Sequence, residues 1–134
     1  MLGIRVLHHV AVCVTDLERS KRFYGEVLGL QEIDRPAFKA PGAWYELEDG
    51  GQLHLIVHTA PRTLRGTRDV DILDGHLAFR IADYDAAVAR LRAHGVECYE
   101  LPQNVTPWKQ LYFTDPDGNG IELNVDRELS VPMA

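Results

Sequence analysis

The chain has 134 residues, and 14 Lys+Arg against 20 Asp+Glu leave a formal net charge of −6. That length suits one ordinary domain and is too short for a catalytic domain plus a separate cofactor domain. A hydrophobic share of 46% and a charged share of 25% describe a compact cytosolic chain and argue against disorder and membrane insertion.

The acidic balance also argues against nucleic acid or an anionic membrane surface as the main partner, because the basic residues are scattered. Arg62, Arg65 and Arg68 come closest to a cluster, and Asp69 and Asp71 follow at once. In chain order, residues 6–14 alternate as a strand. Asp16 then caps a helix whose Leu17, Phe23, Tyr24, Val27 and Leu28 form one apolar stripe, and Gly29 closes it. Strands follow at 30–34, 43–47 and 52–58, the last two joined by Glu48-Asp49-Gly50-Gly51. Residues 59–75, with Pro61, Gly66 and Gly75, read as a linker. The second half offers a strand at 76–81, a helix at 83–94, and strands at 97–101, 110–114 and 120–125. Its last hairpin carries the turn signal Asp115-Pro116-Asp117-Gly118-Asn119. Cys13 and Cys98 lack metal-site or CxxC spacing and read as free thiols of a reducing compartment. The start of the chain shows no secretion signal.

The two halves are copies of one module. His9 and His76 each stand seven residues before a helix-opening aspartate. Gly29 and Gly95, Asp49-Gly50 and Asp117-Gly118, and His54 and Glu122 correspond at offsets of 66 to 68 residues. Modules of about 6–58 and 76–126 make up the single domain, 1–134.

Side-chain parity locates candidate chemistry, since successive strand residues face opposite sides. Val10, Val12 and Val14 oppose His9, Ala11 and Cys13; Leu53, Leu55 and Val57 oppose His54, Ile56 and His58. Leu77, Phe79 and Ile81 oppose His76, Ala78 and Arg80; Ile121, Leu123 and Val125 oppose Gly120, Glu122 and Asn124. With the oily sets packed under the helices, His9, His54, His76 and Glu122 share the more polar face. These are metal-ligand residue types, one from each of four strands, at repeat-equivalent places. His58 lies about 13 Å along its strand from His54 and reads as structural or as a pocket-rim residue; His8 is expected on the opposite face from His9.

The stretch His9-Val10-Ala11-Val12-Cys13-Val14-Thr15-Asp16-Leu17, with Phe23-Tyr24 and Val27-Leu28-Gly29-Leu30, resembles the opening module of the vicinal oxygen chelate superfamily. That group contains glyoxalase I, methylmalonyl-CoA epimerase, extradiol dioxygenases, and the fosfomycin and bleomycin resistance proteins. Gly75-His76-Leu77-Ala78-Phe79 and Phe113-Thr114-Asp115-Pro116-Asp117-Gly118-Asn119-Gly120-Ile121-Glu122-Leu123 resemble its second module. The resemblance implies an α+β fold of paired βαβββ modules in an open, cup-shaped mixed sheet, and a homodimer. It makes His9, His76 and Glu122 the shared ligands of a divalent ion (Ni, Co, Zn, Mn or Fe). His54 stands where glyoxalase I has a glutamate and the epimerase a glutamine. Whether one chain or two supply the ligands stays open.

Ligand count separates the reactions. Four protein ligands on an octahedral ion leave two positions, which suit a small substrate chelating through neighbouring oxygens while the ion stabilises an enediolate or enolate. That chemistry is a lyase or isomerase of the glyoxalase or epimerase kind. Three ligands leave room for a catecholate and O₂, as in an extradiol Fe(II) dioxygenase. A drug-binding resistance protein or a thiol transferase is the remaining alternative. Glu122 is the first candidate base and Glu46 the second. Phe38, Trp44, Trp108 and Tyr112 are candidates to line a substrate pocket, and Arg35, Arg80 and Lys109 to meet an anionic group.

Overall fold

Strand alternation and two aspartate caps build the same βαβββ unit twice. The computed structural model describes residues 1–58, 60 and 65–127, in two compact units, Met1–Leu64 and Arg65–Ala134. In the first, β1 (His9–Val14) leads into α1 (Leu17–Lys21), which continues as a wider-wound turn over Arg22–Val27; β2 (Gln31–Ile33), β3 (Gly42–Glu46) and β4 (Gln52–Val57) follow. The sheet order is β1-β4-β3-β2, with β1 parallel to β4 and the other pairs antiparallel. The second unit repeats this with β5 (Leu77–Arg80), α2 (Tyr84–Ala93), β6 (Tyr99–Leu101), β7 (Trp108–Thr114) and β8 (Gly120–Asp126), ordered β5-β8-β7-β6 with β5 parallel to β8. A parallel pair cannot be closed by a tight turn, so the helix belongs to the crossover that returns the chain.

Both helices start as their caps predict. Asp16 accepts from the Arg19 amide at 3.0 Å, and Asp83 from the Ala86 amide at 3.0 Å, each satisfying an otherwise orphaned donor. Under α1 and its continuation, Phe23 and Tyr24 are buried in the same unit as Val12, Val14, Ala43, Tyr45, Leu53 and Leu55. In the second unit Tyr84, Val88 and Leu91 of α2 are buried together with Leu111, Phe113, Ile121, Leu123 and Val125. Each large side chain so buried is worth about 1.5–3 kcal/mol relative to exposure.

Several boundaries depart from the sequence expectation. The first strand begins at His9 rather than residue 6, because its partner β4 begins at Gln52, the register partner of His9. The last cross-strand bond is from the Gln52 amide to the His8 carbonyl, and Leu2, Ile4, Val6 and Leu7 are left exposed. The first helix is not uniform: beyond Lys21 the bonding widens, and the Leu28 amide reaches back to the Phe23 carbonyl. Strand β7 starts two residues early, because Trp108 pairs with Asp126 and its carbonyl accepts from the Thr106 hydroxyl. Strand β5 starts at Leu77, so His76 stands just before it; β6 is shortened to three residues.

The 115–119 turn closes on itself: Asp115 Oδ1 accepts from the Asp117 and Asn119 amides at 2.9 and 2.8 Å. Arg65 and Arg68, two members of the one candidate basic cluster, donate to the Gly118 and Pro116 carbonyls, so they tie down this turn. Arg62 and Pro61, with part of the expected linker, lie outside the described residues. Among the described residues no helix is long and apolar enough to cross a membrane.

Candidate metal centre

In the second unit, His76 immediately precedes β5 and Glu122 sits within β8, where Ala78 is its register partner. His76 Nδ1 lies 2.8 Å from the Asp74 carbonyl oxygen. A carbonyl only accepts, so Nδ1 carries the proton and a neutral ring presents its lone pair at Nε2. That nitrogen faces Glu122 Oε1 at 3.4 Å. A lone pair set against a carboxylate oxygen calls for something positive between them, a proton or a cation.

The carboxylate is held from three sides and is 5% exposed. Tyr112 donates its hydroxyl to Oε1 at 2.6 Å, Gln110 its amide to the same oxygen at 3.1 Å, and Asn124 its amide to Oε2 at 2.5 Å. Behind Asn124 stands Arg80, which donates to its side-chain oxygen at 2.6 Å and pairs with Asp126. Burial and the neighbouring Glu122 push the Tyr112 phenol well above its ordinary pKa, which keeps it the donor.

In the first unit His54, on β4, is buried between two rings. His9 stacks on it at 4.1 Å and 16°, and Trp44 at 4.1 Å and 6°. His54 Nε2 is 2.8 Å from Gln52 Oε1. Burial, then the neighbouring His9, His8 and Arg35, hold the His54 imidazole below its ordinary pKa, which favours the neutral form. His8 does not point away as strand alternation predicts: it precedes β1, and its Nδ1 lies 2.9 Å from His9 Nδ1.

The structure thus brings the four candidate ligands together as two pairs, His9 with His54 and His76 with Glu122. Within either unit, no group of three His, Cys, Asp or Glu among the described residues is placed to hold an ion. The donor chemistry fits a divalent ion: ligand atoms about 2.0–2.2 Å from a shared ion stand roughly 3–3.5 Å apart, and the His76–Glu122 separation lies in that range.

Glu46 is exposed at the end of β3, the register partner of Gln52. Phe38 is exposed and tilted against Trp44 at 6.1 Å, with the Arg35 guanidinium over its ring. Trp108 heads β7 with the Arg80 guanidinium 5.6 Å from its ring centre, and Lys109 sits over Tyr84. His58 Nδ1 accepts from the Ala60 amide, a structural use. The sequence reading missed Gln52, Gln110, Asn124 and the Asp74 carbonyl. Parity already placed Asn124 on the Glu122 face; the other three carried no motif.

A fold of two βαβββ units, each with a parallel outer pair and a ligand-type pair on one face, defines the class. The profile of the Glyoxalase/Bleomycin resistance protein/Dioxygenase superfamily matches residues 6–123, and the chain belongs to that family. It is 36% identical over 128 residues to the protein YaeR of Escherichia coli K12, covering 92% of this chain and 98% of that one. To Glyoxylase I 4 of Arabidopsis thaliana it is 29% identical, covering 98% and 78%. To the 2-epi-5-epi-valiolone epimerase of an Actinomyces species it is 30% identical, covering 90% and 79%. Among solved structures, a glyoxalase/dioxygenase from Nostoc punctiforme superposes with a TM-score of 0.76 at 28% identity over 92% of each chain. The antibiotic-binding protein TnmS3 of Streptomyces sp. CB03234 superposes with a TM-score of 0.69 at 30% identity over 94% and 99%.

Proposed function

We propose that the protein is a divalent-metal-dependent lyase or isomerase acting on a small molecule with two neighbouring oxygens, and that His9, His54, His76 and Glu122 hold the ion. The observation that carries this reading is the His76–Glu122 pair, a tautomer-fixed imidazole nitrogen set 3.4 Å from a carboxylate oxygen. Ni, Co, Zn, Mn or Fe suits the mixed nitrogen and oxygen donors. Bound there, the ion would supply Lewis acidity to the substrate oxygens as a carbon-bound proton leaves.

The chain's own residues do the rest. Glu122 takes the proton from carbon, with Tyr112, Gln110 and Asn124 keeping its carboxylate aimed. Glu46 is the second candidate base, at the end of β3. The proton-transfer reading takes His54 as a fourth ligand, which would leave two positions for the substrate rather than the three that ring cleavage needs. Relatives named as a glyoxylase and as an epimerase agree with this reading, and one named as a catechol-2,3-dioxygenase agrees with the alternative. In this reading the protein works as a cytoplasmic homodimer.

Metal analysis of purified protein, paired with an assay of solvent-deuterium incorporation into α-hydroxy or α-thio carbonyl compounds, tests the proposal. About one tightly held ion per four-ligand set and metal-dependent exchange are expected. Full activity after chelation would overturn it, as would O₂ uptake with catechols, the mark of a dioxygenase.

A further inference from the structure

Glu122 belongs to one rung of the second sheet and Asn124 to a neighbouring rung on the same face. Across β5, β8 and β7 these rungs run Ala78–Glu122–Tyr112 and Arg80–Asn124–Gln110. The two amides of the second rung each turn an N–H toward Glu122. An amide has a donor end and an acceptor end, so which end meets the carboxylate has to be decided elsewhere. We propose that Arg80 and Asn104, neither hydrogen-bonded to Glu122 itself, are positioning residues that fix this polarity, one for each carboxylate oxygen. The inference rests on the reading of Glu122 as a residue that holds the ion and takes the proton.

Each relay starts from a group that can only donate. On the Oε2 side it is the Arg80 guanidinium, whose Nε donates to Asn124 Oδ1 at 2.6 Å. A guanidinium has no acceptor, so it holds the carbonyl end of the amide and delivers Asn124 Nδ2 to Glu122 Oε2. On the Oε1 side it is the Thr106 backbone amide, which donates to Asn104 Oδ1 at 2.7 Å. Asn104 Nδ2 then donates to Gln110 Oε1, which leaves Gln110 Nε2 to donate to Glu122 Oε1 at 3.1 Å and to the Tyr112 hydroxyl at 3.0 Å. Reversing any one amide would set like ends together at both of its contacts. The starting points are held in turn: Arg80 pairs with Asp126, and Arg127 donates to the Thr106 carbonyl at 3.0 Å. Glu122 consequently meets donors only, on both oxygens.

The first module has no such equipment. At the offset of 68 residues that relates His54 to Glu122, Asn104, Gln110 and Asn124 fall on Pro36, Gly42 and Ile56, and at the His9–His76 offset of 67 Arg80 falls on Cys13. The relays accompany the carboxylate and not the repeat.

Two measurements test the inference. The first is NMR of the side-chain amides in the metal-free protein. Asn104→Asp puts an acceptor where Gln110 Oε1 needs a donor, so Gln110 is expected to reverse and its amide protons to lose their contacts with the Tyr112 ring. In Arg80→Met the Asn124 amide signals are expected to move, and in Arg80→Lys to return toward their wild-type positions. Unchanged Gln110 contacts in Asn104→Asp, or unmoved Asn124 signals in Arg80→Met, would overturn the inference.

The second measurement is Ni²⁺ affinity, by competition with a chromophoric chelator, for wild type, Arg80→Met, Arg80→Lys, Asn104→Ala and Asn104→Asp. Loss of a residue that orients a ligand typically costs about tenfold to a hundredfold in metal affinity. Arg80→Met and Asn104→Asp are expected to show that loss, Arg80→Lys to recover most of it by restoring a donor, and Asn104→Ala to fall between wild type and Asn104→Asp. A purely structural Asn104 predicts the opposite order, because Asn104→Asp keeps the shape and the acceptor for Thr106 while Asn104→Ala keeps neither. That opposite order would overturn the inference, as would affinities within about twofold of wild type for Arg80→Met and Asn104→Asp. Should wild type bind no ion, the metal reading fails while the amide signals still decide the relays.

Discussion

His76 Nε2 and Glu122 Oε1 face each other at 3.4 Å, and the Asp74 carbonyl, by holding the proton on the far ring nitrogen, leaves that gap without one when the ring is neutral. His76→Ala removes one donor and the directional lone pair. Bound ion, measured by elemental analysis after gel filtration, is expected to fall from about one per four-ligand set to near zero. Because His76 lies just outside β5, the thermal midpoint of the metal-free protein should scarcely move.

Glu122→Gln behaves differently. The carboxylate accepts three hydrogen bonds in a buried position, and an amide must turn its NH₂ toward a group that also donates. Leaving a buried donor unpaired costs about 1–3 kcal/mol. Urea denaturation of the metal-free variant is therefore expected to show a lowered midpoint, together with loss of ion binding and of proton exchange.

His54 makes the metal-free fold sensitive to acid. Its pKa is lowered from an ordinary value of 6.5, chiefly by burial. Between the lowered folded value and 6.5 the unfolded chain binds more protons than the folded one, so stability rises with pH across that window. The His54 contribution is complete above pH 6.5 and is lost as pH falls toward the folded value. Denaturation from pH 5 to 8 is expected to show this slope, and His54→Gln to flatten it.

Gly42→Ala is expected to destabilise the first unit. A Cβ at this position would stand 2.2 Å from the Leu55 carbonyl oxygen and 2.8 Å from the Arg35 guanidinium. The backbone oxygen cannot move without breaking the β3–β4 pairing, so the change should cost roughly 1–3 kcal/mol, the range of overpacked cores. Gly66→Ala, with open space around its Cβ, is the control.

Most of the architecture was legible from local signals. Asp16 and Asp83 marked the helix starts because a cap needs only three residues of chain, and alternation in Val10, Val12 and Val14 marked a buried face. Strand ends were less legible, because a strand stops where its partner does. Nothing in Ile4 or Val6 shows that β4 begins only at Gln52.

By itself, the order of residues determined the duplication, the faces of the strands and the identity of the four candidate ligands, because period-two alternation and a constant offset are properties of the chain alone. Only tertiary structure decided what surrounds each ligand: the indole clamped on His54, the three donors on Glu122, the carbonyl that sets the His76 tautomer. Those contacts join residues on neighbouring strands or in an irregular turn. Register and the backbone path place them, and neither is written in the spacing of the residues themselves.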